Sequence, residues 1–252
     1  MERRTLPGRL IWQRGEIIAT RKETERTQSI TIALPGWMGH RPGQHVDVRL
    51  TAEDGYQVER SYSIASPPEE KNQLILTIER LDDGEVSPYL VDELRIGDQL
   101  ELRGPIGGYF VWEVQMGGPL LLIAGGSGIV PLMAMIRHAI ANGGVVPIRL
   151  LFSSRSEQDI IYHDELSQLV SSTHNLEVIY TLTREQPQGW TGYHRRVDST
   201  MLREVAWLTT QQPLTFICGP TSFVEAAATS LVELGYPPER VKTERFGATG
   251  DG

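Results

Sequence analysis

Two short stretches of this chain combine residue types that can hold a phosphate and a flat ring. Residues 123–131 read Ile-Ala-Gly-Gly-Ser-Gly-Ile-Val-Pro, an apolar strand running into a glycine-rich turn that opens a helix. Glycine lets the backbone approach a diphosphate closely, and the free amides at a helix start favour negative charge there. Gly125, Gly126, Ser127, Gly128 and Pro131 are therefore expected to form a phosphate cradle. Their spacing departs from the usual dinucleotide fingerprint, and the residues alone leave a tight structural turn open. The second stretch is Arg60-Ser61-Tyr62-Ser63, where strand alternation puts Arg60 and Tyr62 on one face. A cation beside an aromatic ring suits a ligand with both a phosphate and a planar ring, although an ordinary strand with a packed tyrosine explains the tetrapeptide equally well.

A third group of residues bears on which dinucleotide would fit. The strand after the glycine turn ends in Ser153-Ser154-Arg155, where the ribose of a bound dinucleotide would lie. An acidic residue there would favour a free 2′-hydroxyl, whereas arginine pairs with a 2′-phosphate. Arg155 points to NADPH, with NADH as the alternative donor, and Arg184 and Arg196 are expected to join it. Each of these arginines taken singly reads as a solvated surface charge. His40, His45, His138, His163, His174 and His194 show no ligand spacing with one another or with Cys218, so no metal site is expected. Ile129, Leu132, Met133 and Ile136 form an apolar helix stripe, Met133 and Met135 need no cofactor role, and Trp190 and Trp207 are assigned to packing.

The elements needed to position these residues fall into two patterns. Residues 16–20, 29–34, 45–50, 60–65, 74–80 and 99–103 are short β-branched runs, several alternating apolar with polar as in His-Val-Asp-Val-Arg-Leu. That alternation suits strands with one wet face, and an antiparallel β-barrel is expected. One helix is expected at 87–94, with Ser87 as its cap and Pro88 at its first position. After Gly117-Gly118-Pro119 the pattern changes. Continuous apolar strands at 120–124, 148–153, 176–181 and 214–218 alternate with helical segments at 131–141, 163–170 and 221–234. Apolar strands between helices indicate a parallel sheet covered on both faces. The expectation is two domains, an N-terminal antiparallel β-barrel over residues 1–114 and a C-terminal α/β domain with a parallel sheet over 115–252.

Composition narrows the function classes. A chain of 252 residues suits two domains of about 120 residues each. With 24 Lys plus Arg against 32 Asp plus Glu, the formal charge of −8 offers no broad footprint for nucleic acid or an anionic membrane. Any anionic ligand must be held by a local cluster. The single cysteine excludes an intramolecular disulfide and an iron–sulfur centre of the chain's own. Residues 1–8 lack the apolar core of a signal peptide, and no apolar run approaches the roughly 18 residues of a membrane span, so a cytoplasmic location is expected.

Taken in order, several motifs resemble one family. Arg60-Ser61-Tyr62-Ser63, Asp83-Gly84-Glu85-Val86-Ser87, residues 104–110 (Gly-Pro-Ile-Gly-Gly-Tyr-Phe), the glycine turn at 125–131, Cys218-Gly219-Pro220 and Glu244-Arg245-Phe246 follow the sequence seen in ferredoxin–NADP reductase-like flavoenzymes. The resemblance covers residues 14–250, with no fused iron–sulfur domain. It implies that Arg60 pairs with the FAD pyrophosphate, that Tyr62 lies on the isoalloxazine and that the Ser63 hydroxyl sits near flavin N5. Gly84, Val86 and Ser87 would hold the flavin phosphates, with Ile78 and Arg80 on the neighbouring strand. Cys218, followed by Gly219 and Pro220, would face the nicotinamide, and Glu244 and Phe246 match the family's carboxylate and terminal aromatic. FAD rather than FMN also rests on the resemblance. Two departures stand out: Phe246 replaces the tyrosine of plant-type members, and residues 247–252 extend beyond it.

The resemblance implies an NAD(P)H-dependent flavoprotein reductase that passes hydride from NADPH to FAD and electrons onward to a separate redox protein, such as ferredoxin, flavodoxin or another redox subunit. Ser63, Cys218 and Glu244 would orient the rings and tune their charge. A flavin or quinone reductase with a small diffusible acceptor is a rival within enzymes. A non-catalytic electron-relay subunit that binds flavin is the rival from another class. No motif bears on oligomeric state, and a monomer suffices for each of these readings.

Overall fold

The computed structural model describes residues 10–246. Its first half is a barrel of six antiparallel strands, β1 (Trp12–Lys22), β2 (Thr27–Ala33), β3 (His45–Thr51), β4 (Gln57–Ser63), β5 (Gln73–Glu79) and β6 (Gln99–Ile106), in the order β4-β3-β6-β1-β2-β5. A bridge between Ile64 and Leu76 brings the two ends of that order together. The alternation in β3 is what closes it: Val46 and Val48 are fully buried among Ile17, Ile30, Ile32, Leu76 and Leu102. Asp47 and Arg49 point outward and pair with Arg103 and Glu101 on β6 at 2.7 and 2.9 Å.

The helix expected at 87–94 is a single wide turn, Tyr89–Glu93, that drops Leu90 into the barrel. Ser87 does not cap it. Its buried Oγ accepts the backbone N–H of Leu81 at 3.0 Å, so the hydroxyl serves the preceding loop and the turn starts at Pro88 with no side-chain cap. The 94-to-89 backbone bond (3.0 Å) then ends the turn after five residues.

The second half is a five-stranded parallel sheet, β7 (Leu120–Gly125), β8 (Ile148–Ser154), β9 (Leu176–Leu182), β10 (Leu214–Pro220) and β11 (Val241–Phe246), in the order β11-β10-β7-β8-β9. Helices α1 (Ile129–Ala141) and α2 (His163–Ser172) cover one face, and α3 (Ser199–Val205) and α4 (Thr221–Glu233) the other. This explains the unbroken apolar run in β7: Leu120 and Leu122 join the core under α1, while Leu121 and Ile123 join the core under α4. Two elements have no counterpart in the sequence reading. The short α3 is capped by Asp198, whose carboxylate accepts the Met201 N–H at 2.7 Å. Strand β11 carries the polar run Val-Lys-Thr-Glu-Arg-Phe at the sheet edge.

Thr215 in β10 is fully buried, and its hydroxyl has no hydrogen-bond partner among the described residues. An unpaired buried hydroxyl costs about 1–3 kcal/mol. Thr215→Val should therefore raise stability by about 1 kcal/mol, read as a higher denaturant midpoint at unchanged slope; a lower midpoint would show that the hydroxyl is satisfied in solution.

Candidate active site

The two halves meet at the end of β4. Ser63, the last residue of that strand, is buried, and its hydroxyl donates to Glu244 Oε1 at 3.4 Å, 181 residues away in β11. The parallel pairing of β10 with β11 sets Glu244 opposite Cys218 and Phe246 opposite Pro220. The structure thus brings Ser63, Cys218 and Glu244 together. Burial lifts the Glu244 carboxyl to about 7, against a smaller opposing effect of the Ser63 hydrogen bond. Burial, and then the neighbouring Glu244, push the fully buried Cys218 thiol well above its usual range. Cys218 therefore stays a neutral thiol, unsuited to act as a thiolate nucleophile. Glu244 can hold or release a proton near neutrality.

The raised Glu244 value has a consequence for stability. The folded state binds the proton more tightly than the unfolded chain, so this group's contribution is full below the ordinary 4.5 and is lost as pH rises toward about 7. Glu244→Gln should be more stable than the parent at pH 8, by up to about 3 kcal/mol, and equal to it near pH 4. Unfolding curves at the two pH values test this; a gain independent of pH would show that Glu244 is not ionising in its buried position.

The glycine turn lies directly beside this group. Gly125 ends β7, Gly126–Gly128 form one 3₁₀ turn, and α1 begins at Ile129 with Pro131 in its first turn. Gly126 has φ +54° and open space where a Cβ would stand. A Cβ on Gly128 would fall 2.0 Å from the Cys218 carbonyl oxygen, so the turn and the cysteine strand touch backbone to backbone. Gly125 and Gly219 both approach the Phe223 ring at 2.9 Å by the same measure.

Ser153 and Ser154 are buried at the end of β8, and Arg155 just after them is exposed. The backbone N–H groups of Arg184 and Glu185 donate to the Arg155 carbonyl at 2.9 and 3.2 Å, which sets Arg184 beside Arg155. Arg196 follows the segment held to β9 by the Thr181 hydroxyl on the Arg195 carbonyl. All three arginines are exposed at this end of the sheet, and none pairs with a carboxylate among the described residues.

On the barrel side, Arg60 is half exposed, reaching Glu85 at 3.4 Å and the Glu59 carbonyl at 2.8 Å. Tyr62 is partly buried, and burial pushes its hydroxyl up to about 12. The Arg60 to Glu85 contact brings β4 against the segment holding Gly84, Val86 and Ser87. Three expectations need correction. The Ile78 side chain lies in the barrel core with Leu74 and Leu76, because strand alternation turns it inward, so only its backbone can meet a ligand. The Arg80 guanidinium is taken up by Asp92 (2.7 Å) and Asp82. The Val86 side chain is likewise in the core. Of the aromatics at 109–110, Phe110 fills the seam between the halves, edge-on to Phe216 at 5.3 Å, while Tyr109 is exposed. Phe246 is partly buried at the end of β11, and residues 247–252 lie outside the described residues.

Sequence reasoning missed Glu85 as the counter-ion of Arg60 and Gln44 as a brace. Gln44 accepts the Ile64 N–H on its backbone at 3.0 Å and donates its side chain to the Gly107 carbonyl at 2.6 Å, tying β4 to the 107–110 turn. Neither has a local signature, since both partners are remote in the chain. The donor set fits two phosphate-bearing ligands: an exposed Arg60 beside Tyr62, and an open glycine turn at a helix start.

Comparison with known proteins agrees with this layout. Residues 15–111 match the oxidoreductase FAD-binding domain family, and residues 122–229 match the oxidoreductase NAD-binding domain family. The chain is 32% identical over 211 residues to the glycine betaine monooxygenase reductase subunit of Chromohalobacter salexigens, covering 83% of this chain and 56% of that protein. It is 33% identical over 205 residues to NADH-cytochrome b5 reductase 1 of Aspergillus oryzae, covering 79% of this chain and 69% of that one. The chain therefore spans little more than half the length of some of the curated relatives it matches. Its fold superposes on the flavohem-like FAD/NAD-binding domain of the nitric oxide dioxygenase of Vibrio cholerae with a TM-score of 0.84 at 21% identity, over 93% of this chain and 98% of that one. Barrel and sheet in this order, joined at a shared site and matched along nearly their whole length, mean that the chain belongs to the ferredoxin–NADP reductase-like family of flavoprotein oxidoreductases.

Proposed function

We propose that this chain is an NAD(P)H-dependent flavoprotein reductase that passes hydride from NADPH to FAD and electrons onward to a separate redox protein. The observation that carries this reading is the contact of Ser63 with Glu244, beside Cys218, where the FAD-binding and NAD-binding halves bring a hydroxyl, a carboxyl and a thiol together. FAD, when bound, takes up two electrons as a hydride and can release them singly. The chain's own residues bind and orient. Arg60 holds the pyrophosphate, assisted by Gly84, Val86 and Ser87, with the Ile78 backbone and Arg80 alongside; Tyr62 covers the ring, and Ser63 sits near N5. Gly125, Gly126, Ser127, Gly128 and Pro131 cradle the dinucleotide phosphates, and Ser153 lies at the ribose. Cys218, Gly219 and Pro220 face the nicotinamide, and Phe246 covers the flavin. Glu244 accepts the Ser63 hydrogen bond and, titrating near neutrality, can hold or release a proton beside the reacting rings. The boundary between the domains falls at 114/115, a reading supported by family matches that end at 111 and resume at 122.

The acceptor in this reading is a ferredoxin, a flavodoxin or a redox subunit, which relatives named as reductase subunits of oxygenases support. No helix among the described residues is long and apolar enough to cross a membrane, and a cytoplasmic location belongs to the same reading. The test is anaerobic: purified protein should be yellow, release FAD on denaturation and bleach on mixing with NADPH. Protein that binds no flavin, or whose flavin neither NADPH nor NADH bleaches, would overturn the reading; flavin bound without turnover would identify an electron-relay subunit.

Donor choice is separately testable. Arg155, Arg184 and Arg196 are assigned to the 2′-phosphate, which NADH lacks. Arg155→Ala should raise KM for NADPH by about ten-fold or more, the worth of a charge-assisted bond, and leave that for NADH nearly unchanged. Equal effects on both donors would return these arginines to the role of surface charges.

A further inference from the structure

Helix α1 starts at the glycine turn, where Gly128 abuts the Cys218 carbonyl. Arg137, about two turns further along the same helix, is mostly buried. Its guanidinium makes three bonds in one plane: Nη1 donates to the Ala65 carbonyl at 2.7 Å, and Nε and Nη2 donate to the two Glu165 oxygens at 2.8 and 2.7 Å. Ala65 lies two residues beyond Ser63, is fully buried, and donates its own N–H to Ile75 on the barrel at 2.8 Å. The fourth side of the guanidinium rests on the Tyr162 ring, 4.9 Å from its centroid, and the Tyr162 hydroxyl donates across to Thr77 of β5 at 2.5 Å. One helix therefore touches the Cys218 backbone at its start and, at Arg137, holds the chain that carries Ser63.

We propose that Arg137 is a positioning residue for hydride transfer, tying α1 to the Ala65 carbonyl and so setting the separation between Ser63 and the Cys218–Glu244 pair. This rests on the reductase reading above. In that step the C4–H bond of the nicotinamide breaks and a bond to flavin N5 forms, both electrons moving with the hydrogen from donor to flavin. Such a transfer is steep in distance, and a misplacement of about 1 Å costs on the order of a hundred-fold. A buried bidentate ion pair adds little to stability over a well-packed apolar group, so its fixed geometry is what the fold gains. Only arginine can make this set, because a lysine ammonium has no planar fork to reach Glu165 and a carbonyl together.

The test is Arg137→Lys in the flavin-loaded protein, read in four ways. Flavin content should stay at the wild-type level, and the dissociation constant for NADP⁺ should stay within about two-fold. The limiting rate of anaerobic flavin bleaching by NADPH should fall about ten-fold or more. In flavin-free protein the Ala65 amide should exchange its hydrogen about ten-fold faster, since the carbonyl clamp beside it is gone. A wild-type limiting rate overturns the proposal. So does a loss of rate that is matched by loss of flavin or of NADP⁺ affinity, which is the signature of general damage. Should the lysine variant fail to fold, Glu165→Gln decides: it leaves the Ala65 contact but loosens the clamp, and a limiting rate equal to wild type overturns the proposal. Failure of the reductase reading shows in the wild-type protein itself, as absent flavin or absent bleaching, and takes this proposal with it.

Discussion

Arg60→Ala is expected to emerge from purification largely free of flavin. The guanidinium is half exposed, and among the described residues its one side-chain ion pair is with Glu85 at 3.4 Å. Exposed pairs of that kind are worth about 0–1 kcal/mol, so the fold loses little when the side chain goes. Charge-assisted bonds to a pyrophosphate are worth about 1.5–3 kcal/mol each. Losing two of them weakens FAD binding by about a hundred-fold or more. The ratio of visible to ultraviolet absorbance after purification, and fluorescence titration of the flavin-free protein, measure the loss. Unchanged affinity in Arg60→Ala would detach the whole Arg60-Ser61-Tyr62-Ser63 strand from the cofactor.

Gly128→Ala should do the converse, sparing flavin and weakening dinucleotide binding. Gly128 has φ −59°, which alanine adopts freely, so the obstacle is purely steric. The added carbon would lie 2.0 Å from the Cys218 oxygen, 2.4 Å from its carbonyl carbon and 2.8 Å from the Gly219 nitrogen. All three are backbone atoms of β10, with no side chain to swing away. The glycine turn must lift off the strand, at a cost of about 3 kcal/mol, and NADP⁺ affinity should fall about a hundred-fold. Gly126→Ala provides the contrast: its Cβ meets nothing, and only the left-handed φ of +54° opposes it, for about 1–2 kcal/mol. Calorimetric titration with NADP⁺ and denaturant unfolding separate the two variants. Wild-type affinity and midpoint in Gly128→Ala would mean that the turn is not held against Cys218 in solution.

The sequence by itself determined the two kinds of sheet. Val46 and Val48 alternating with Asp47 and Arg49 record one buried face, and the unbroken run from Leu120 to Ala124 records two. The glycine turn was legible for the same reason, since a strand, a close approach and a helix start are written within nine consecutive residues. Short-range contests were less legible. Ser87 reads locally as a helix cap, yet its hydroxyl accepts the Leu81 N–H, a pairing set by where the loop at Leu81 lies. Strand β11 was hidden because an edge strand with one buried residue in six leaves almost no periodic trace. Its place came from pairing with β10.

Only the tertiary structure decided how the candidate site is assembled. The Ser63 to Glu244 contact spans 181 residues, and Arg137 reaches Ala65 across 72. Hydrophobic period reports which side of an element is dry, whereas the meeting of two remote side chains depends on the path of every element between them. The Glu244 carboxyl titrates near neutrality for that reason too, because the burial that lifts it is supplied by the packed halves and not by its neighbours in the chain.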